Sequence, residues 1–329
     1  MNRSTTFALC TLALIAGVVT PSGDAYAQAP AYPTRPIRLI LAVPPGGATD
    51  FIARTIGAPL SARLGRNVVI DHRPGSNGNL SAEIAAKSAP DGHTLLYAND
   101  SLLVINPNIY SKMAINPMQD LVPIATTITN QLVLAVNPAK VPVNDFRGFI
   151  ELAKKAKEPL FYASIGNGSQ HHLAMELLKQ QAGVDLTHVP YKGGGPASIA
   201  VMSGESAVMF GGTSVVTHIR SGKLKGLAVT GKTPWPTMPE LPSIAAAYPN
   251  YEIKLWHGLF APVGTPQPII DRLRAELNAV LAEPQVRAAL VAGGAGEPYV
   301  TTAQQLAALI GADHARYAKI IKSIGLKLD

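Results

Sequence analysis

The segment best suited to binding chemistry is Val43-Pro44-Pro45-Gly46-Gly47-Ala48-Thr49-Asp50, placed between the apolar run IRLILAV and residues at helical spacing. A glycine pair at a strand-to-helix turn lets several backbone N–H groups converge, and the helix dipole adds to their field, so such a point favours an anion. Pro45, Gly46, Gly47, Ala48, Thr49 and Asp50 are therefore candidate ligand contacts. The Asp50 carboxylate opposes a ligand carboxylate nearby; it reads either as a helix-start acid or as an acceptor for a ligand amine, hydroxyl or bridging water. The turn is not a P-loop, since no Lys-Ser/Thr follows its glycines, and it lacks the G-x-G-x-x-G spacing of dinucleotide sites.

A second turn of the same kind is Ser164-Ile165-Gly166-Asn167-Gly168-Ser169, again between an apolar run and a helical stretch. Ser164, Gly166, Asn167, Gly168 and Ser169 are its candidate contacts, and His172, at the start of the next helix, can hydrogen-bond a ligand or the loop. His171 and His172 point about 100° apart on a helix, so they cannot share a metal as an i, i+4 pair does. Asn99 and Asp100 follow the strand TLLYA and border a cleft; Tyr191 opens the turn YKGGGP, where Lys192 supplies a cation; Gly211 follows the run AVMF. Neutral donors suffice for binding here. A hydrogen bond to a charged group contributes about 1.5–3 kcal/mol, a helix N-terminus about 0.3–1, and micromolar affinity needs about 8. No G-x-S-x-G elbow, H-E-x-x-H or C-x-x-C occurs, and neither metal nor cofactor is expected.

Positioning these turns requires alternating strands and helices. Strand 37–43, a helix from Thr49 or Asp50 with Phe51, Ile52, Ile56, Leu60 and Leu64 as its apolar positions, strand 67–71, a helix near 80–88 and strand 94–98 make one wound unit. A second runs from strand 132–136 through a helix at 145–157, strand 160–164, a helix at 170–182, strand LTHVP, a helix near 197–203 and strands 207–210 and 226–230. Residues 231–250 carry five prolines and read as an irregular connection; a strand at 255–263 and helices at 268–281 and 302–323 follow. Ligands of α/β sheets bind beyond the carboxyl ends of the strands, where both turns fall.

The 329 residues provide enough chain for two domains. The net charge of +7 gives a mild field that attracts anions, but the basic residues are scattered, the densest cluster being Lys154, Lys155 and Lys157, so nucleic acid is not the expected partner. Residues 1–27, with Arg3, an apolar stretch and Ala25-Tyr26-Ala27, read as a signal peptide cut before Gln28. Cys10, the only cysteine, would leave with it.

YPTRPIRLILAVPPGGATDFIAR, VVIDHRPGSNGN, APDGHTLLYA, INPNIY, LFYASIGNGSQHHLA, GVDLTHVPYKGGGPA and LFAPVGTP together resemble the Bug family, the periplasmic receptors of tripartite tricarboxylate transporters. The likeness runs in order from about Tyr32 to the C-terminus. It implies the α/β fold of a type II periplasmic binding protein, with lobe 1 at 32–131 plus 252–329, lobe 2 at 132–251, and a ligand cleft between them. It further implies that the turns Pro45–Asp50 and Ser164–Ser169 each hold one carboxylate end of a small dicarboxylate. A monomeric, non-catalytic periplasmic receptor would then deliver this ligand to a membrane permease of one large and one small subunit. Gly211-Gly212 stand where relatives commonly carry an Asp and another polar residue, which would widen the cleft or remove a polar contact. A periplasmic enzyme acting on an anion in the same cleft, or a sensor for a membrane kinase, are the alternative readings.

Overall fold

Short β-branched runs separated by amphipathic stretches fold into two mixed sheets in the computed structural model, which describes residues 32–328. The expected signal peptide lies outside the described residues. The chain begins β1 (Ile37–Leu41), α1 (Ala48–Leu64), β2 (Val68–His72), α2 (Asn79–Ala86), β3 (Thr94–Asn99), then short helices α3 (Ser101–Val104), α4 (Asn106–Ile109) and α5 (Pro117–Asp120), and β4 (Leu121–Asn130). It continues β5 (Val133–Val136), α6 (Phe146–Lys155), β6 (Leu160–Ser164), α7 (Gln170–Ala182), β7 (Leu186–Pro190), α8 (Gly194–Ser203), β8 (Val208–Gly211), α9 (Thr213–Arg220) and β9 (Lys225–Val229). The last stretch is β10 (Leu255–Pro262), α10 (Gln267–Ala282), α11 (Pro284–Ala292), β11 (Glu297–Pro298) and α12 (Ala303–Ile324).

One sheet has the order β11-β4-β10-β3-β1-β2 and the other β7-β6-β8-β5-β9. Their parallel parts, β2-β1-β3 and β7-β6-β8, hold the first wound unit expected from the sequence and three of the five strands expected in the second. β10 pairs antiparallel with β3 and β4, β11 with β4, and β5 with β8 and β9. Leu121–Asn130, where no strand is expected, forms a ten-residue strand paired with β10. β10 joins the first sheet between β3 and β4, although more than 120 residues separate it from either.

One apolar cluster joins Leu96 and Trp256 of the first sheet to Leu134, Tyr162 and Phe210 of the second, through Leu173 and Leu177 of α7 and Ile320 and Ile321 of α12. A second cluster, including Val133, Met209, Val201 and Trp235, covers the other face of the second sheet. α12 starts at a capping box in which Thr302 Oγ1 accepts from Gln305 N–H and Gln305 Oε1 accepts from Thr302 N–H. Two expectations for α1 are corrected. Its N-cap is Gly47, with Thr49 and Asp50 inside the first turn. Phe51 is 38% exposed rather than core, and its ring lies where a Cβ on Gly293 would stand. No helix among the described residues is long and apolar enough to cross a membrane.

Candidate functional site

Both sequence-derived turns sit at carboxyl ends of parallel strands. In the first, Pro45 to Ala48 are exposed while Thr49 and Asp50 are buried. Gly46 takes φ +89°, a left-handed conformation that glycine adopts without steric cost. This conformation turns the Gly46 N–H onto Asp50 Oδ2 at 2.9 Å. Arg54 Nε donates to Asp50 Oδ1 at 3.0 Å, and His72 Nε2 lies 3.1 Å from the same oxygen. Burial alone would raise the Asp50 carboxyl; the Gly46 N–H, the Arg54 guanidinium and the His72 ring overcome it and hold the group below its ordinary range. Asp50 therefore braces the turn from within, with both oxygens engaged.

No side chain caps α1 at Gly47. The first N–H groups of a helix have no acceptor inside it, so Ala48 and Thr49 present donors beside the exposed loop. The Thr49 hydroxyl shares a hydrogen bond of 3.1 Å with His257 Nε2. Asn99 ends β3 and stands opposite His257 in β10, so Asn99, His257 and the first turn share one edge of the sheet.

The second turn is tightly self-bonded. The Ser164 hydroxyl lies 2.6 Å from His188 Nε2 and accepts from Gly166 N–H. Gly168 N–H donates to His172 Nδ1 at 3.1 Å, and Ser169 caps α7 by accepting from His172 N–H. His172 stacks on His188 with centroids 4.0 Å apart, and Tyr162 packs against both rings, 4.9 Å from His188 and 6.4 Å from His172. Burial, with His172 adding repulsion, pushes the His188 imidazole down to about 4, and burial lowers His172 as well. His172 thus bonds the loop, one of the two roles open to it from sequence. Tyr191 N–H donates to Ser164 O at 2.9 Å, while its hydroxyl is turned to Glu205. Gly211 is buried at the end of β8, and a side chain there would collide with Val215, so the space beside this glycine is filled.

A buried hydrogen bond ties the two edges together: Gln170 Nε2, at the start of α7, donates to Asp100 Oδ1, just past β3, at 2.5 Å. Beside it, a Cβ on Gly168 would meet Ile109, and it would stand 3.3 Å from Leu328 Cδ1 and 3.9 Å from Asn77 Nδ2. The second turn thus lies against the part of the first sheet's edge that carries Asp100 and α4. Two surface cavities lie elsewhere, one of about 450 Å³ along Arg38, Val69 and Asp71, and one of about 320 Å³ between Leu177 and Lys319. Among the described residues no group of three or more His, Cys, Asp and Glu is arranged to hold a metal.

Sequence reading missed His188, Gln170 and His257. The available signal was a lone polar residue inside an apolar run, as in LTHVP and LWHGLFAPV.

Asp100 itself is fully enclosed, with Oδ2 lacking a partner. Burial, reinforced by the nearby Asp313 carboxylate, pushes its carboxyl well above the ordinary value. A raised folded-state value means that Asp100 supports the fold fully only below about pH 3.9 and loses that support as pH rises through its folded value. Asp100→Asn keeps the acceptor for Gln170 and removes the titration. The variant should melt higher than the parent at pH 7–8, with the gain shrinking to nothing near pH 3.5. A gain that is the same at every pH would refute this.

The family model for the tripartite tricarboxylate transporter family receptor matches residues 52–326. Protein BugT of Bordetella pertussis (strain Tohama I) is 33% identical over 316 residues, covering 95% of each chain. Among solved structures, R. palustris Rpa4515 with adipate is 32% identical with a TM-score of 0.83, covering 90% of this chain and 99% of that one. MatC (Rpa3494) from Rhodopseudomonas palustris with bound malate is 29% identical with a TM-score of 0.78, covering 88% and 100%. The periplasmic binding protein BugD is 28% identical with a TM-score of 0.77, covering 90% of this chain and 99% of that one, and the two-sheet α/β architecture is that of periplasmic binding proteins.

Proposed function

Since the chain belongs to the tripartite tricarboxylate transporter receptor family, we propose that it is a non-catalytic periplasmic receptor for a small carboxylate, delivering it to a membrane permease of one large and one small subunit. The ligand is best read as a dicarboxylate. One end lies at the amides of Gly47, Ala48 and Thr49, and the other at the turn Ser164–Ser169 with Asn167 outermost. The observation that carries the reading is the Gln170–Asp100 bond, which sets the two donor-bearing edges against one another. Adipate and malate in the related structures support the ligand class.

The halves built on the two sheets act as lobes, 32–131 with 252–329 and 132–251, and ligand favours their closed arrangement. Export depends on residues 1–27. A thermal-shift screen of benzoate, succinate, adipate, malate and citrate tests the reading. A ligand at 100 times its Kd adds about 2.7 kcal/mol of stability, which moves the melting temperature by several degrees. Flat melting curves across all five sink it, and chemical conversion of a bound member shows an enzyme instead.

A further inference from the structure

The Thr49 hydroxyl sits where a hydroxyl in a helix usually has a sink for its proton. Thr55 and Ser61, later in α1, donate back to the carbonyls of Phe51 and Gly57. Thr49, in the first turn, has no helical carbonyl four residues behind it, and its bond goes instead to His257 Nε2 from a strand 208 residues away. The direction of that bond decides what Thr49 offers outward.

His257 is held from several sides. Its ring stacks on Tyr97 with centroids 5.9 Å apart. The Tyr97 hydroxyl is 2.8 Å from Thr127 Oγ1, and Thr127 donates to the His257 carbonyl at 3.2 Å. Nδ1 is buried with no partner. A neutral imidazole carries one N–H. On Nδ1 that hydrogen would be an orphaned buried donor, which is rarer in proteins than an unpaired acceptor; on Nε2 it meets the Thr49 oxygen. Burial pushes His257 down to about 4, so the ring is neutral at the pH of binding.

We propose that His257 is a positioning residue: its Nε2–H donates to Thr49 Oγ1, releasing the Thr49 hydroxyl proton to bind a ligand carboxylate oxygen beside the Thr49 N–H. This inference rests on the carboxylate-receptor reading. Thr49 then supplies two donors to one end of the ligand. Reversed, the same contact would consume the hydroxyl proton and turn an oxygen lone pair toward the anion.

Calorimetric titration is run with whichever of benzoate, succinate, adipate, malate and citrate raises the melting temperature of the parent most. Thr49→Val should raise Kd about tenfold or more, the loss of a hydrogen bond to a charged group, and Thr49→Ser should bind like the parent. His257→Phe, which keeps a ring against Tyr97, should raise Kd three- to tenfold by the loss of orientation, about 1.4 kcal/mol at the upper end. His257→Gln, with an N–H near the Nε2 position, should recover most of the affinity, and His257→Phe should add nothing to Thr49→Val. Independently of any variant's folding, ring 15N shifts of the parent should report hydrogen on Nε2. Hydrogen on Nδ1, parental affinity in a folded His257→Phe, or additive losses in the double variant overturn the inference. Binding of none of the five carboxylates overturns the receptor reading beneath it.

Discussion

Gly168→Ala is expected to cost about 3–4 kcal/mol of stability, against about 1 kcal/mol for Gly183→Ala, from left-handed strain of about 1–2 kcal/mol and an overpacking cost of about 1–3 kcal/mol. Both glycines are left-handed, at φ +72° and +64°. A Cβ on Gly183 would meet open space, whereas one on Gly168 would strike Ile109 and press on Leu328 Cδ1 at 3.3 Å. Ile109 is only 1% exposed and cannot swing aside into solvent. Gly183 is therefore an internal control for backbone strain, and the difference between the variants reports how closely the second turn is pressed onto the edge of the first sheet. At roughly 2–4 °C per kcal/mol for a chain somewhat smaller than this one, the two should melt several degrees apart. Equal melting temperatures would mean that the edges are not in contact, and the shared site would go with them.

Acidification from pH 6.5 toward 4 should lower the unfolding free energy steadily. His171 and His257 are buried, and burial pushes both down to about 4, as burial and His172 do for His188. Unfolded, each titrates near 6.5, so within this interval the unfolded chain binds protons that the folded chain refuses. Stability from these groups is complete above about pH 6.5 and disappears as pH falls to their folded values. Two acids act the other way. Burial raises Asp100, with the Asp313 carboxylate adding repulsion, and it also raises Asp313 despite the Arg316 guanidinium beside it, so each keeps its proton to higher pH in the folded chain than in the unfolded one. His172, which burial also lowers, acts with these three histidines, so acidification lowers stability overall. Urea unfolding at pH 7, 6 and 5 measures the slope. Asp100→Asn should steepen it by removing one of the opposing groups. A flat profile in the parent, or an unchanged slope in the variant, would contradict this balance.

The site was legible in proportion to how local its parts are. Gly46 and Gly168 announce their turns because a left-handed backbone is a property of one residue and its neighbours. The same holds for Ser169 as the cap of α7, which needs only the N–H of His172 three residues on. Leu121–Asn130 escaped because Pro123 and three threonines blur its alternation; pairing along β10 and burial of most of its residues make it a strand. Phe51 fits the apolar spacing of α1, but its ring finds Gly293 at the surface rather than the core.

By itself the amino-acid sequence determined where strands give way to helices and where backbone donors gather at those junctions, since both follow from the periodicity and conformational range of neighbouring residues. Tertiary structure alone decided which donors remain for a ligand. Asp50 turns inward to Gly46, Arg54 and His72; Ser164 is taken by His188; Thr49 meets His257; and Gln170 reaches Asp100. Most of these partners lie 22 to 208 residues away along the chain. Bonds between residues so far apart form only once strand order and register have brought them together.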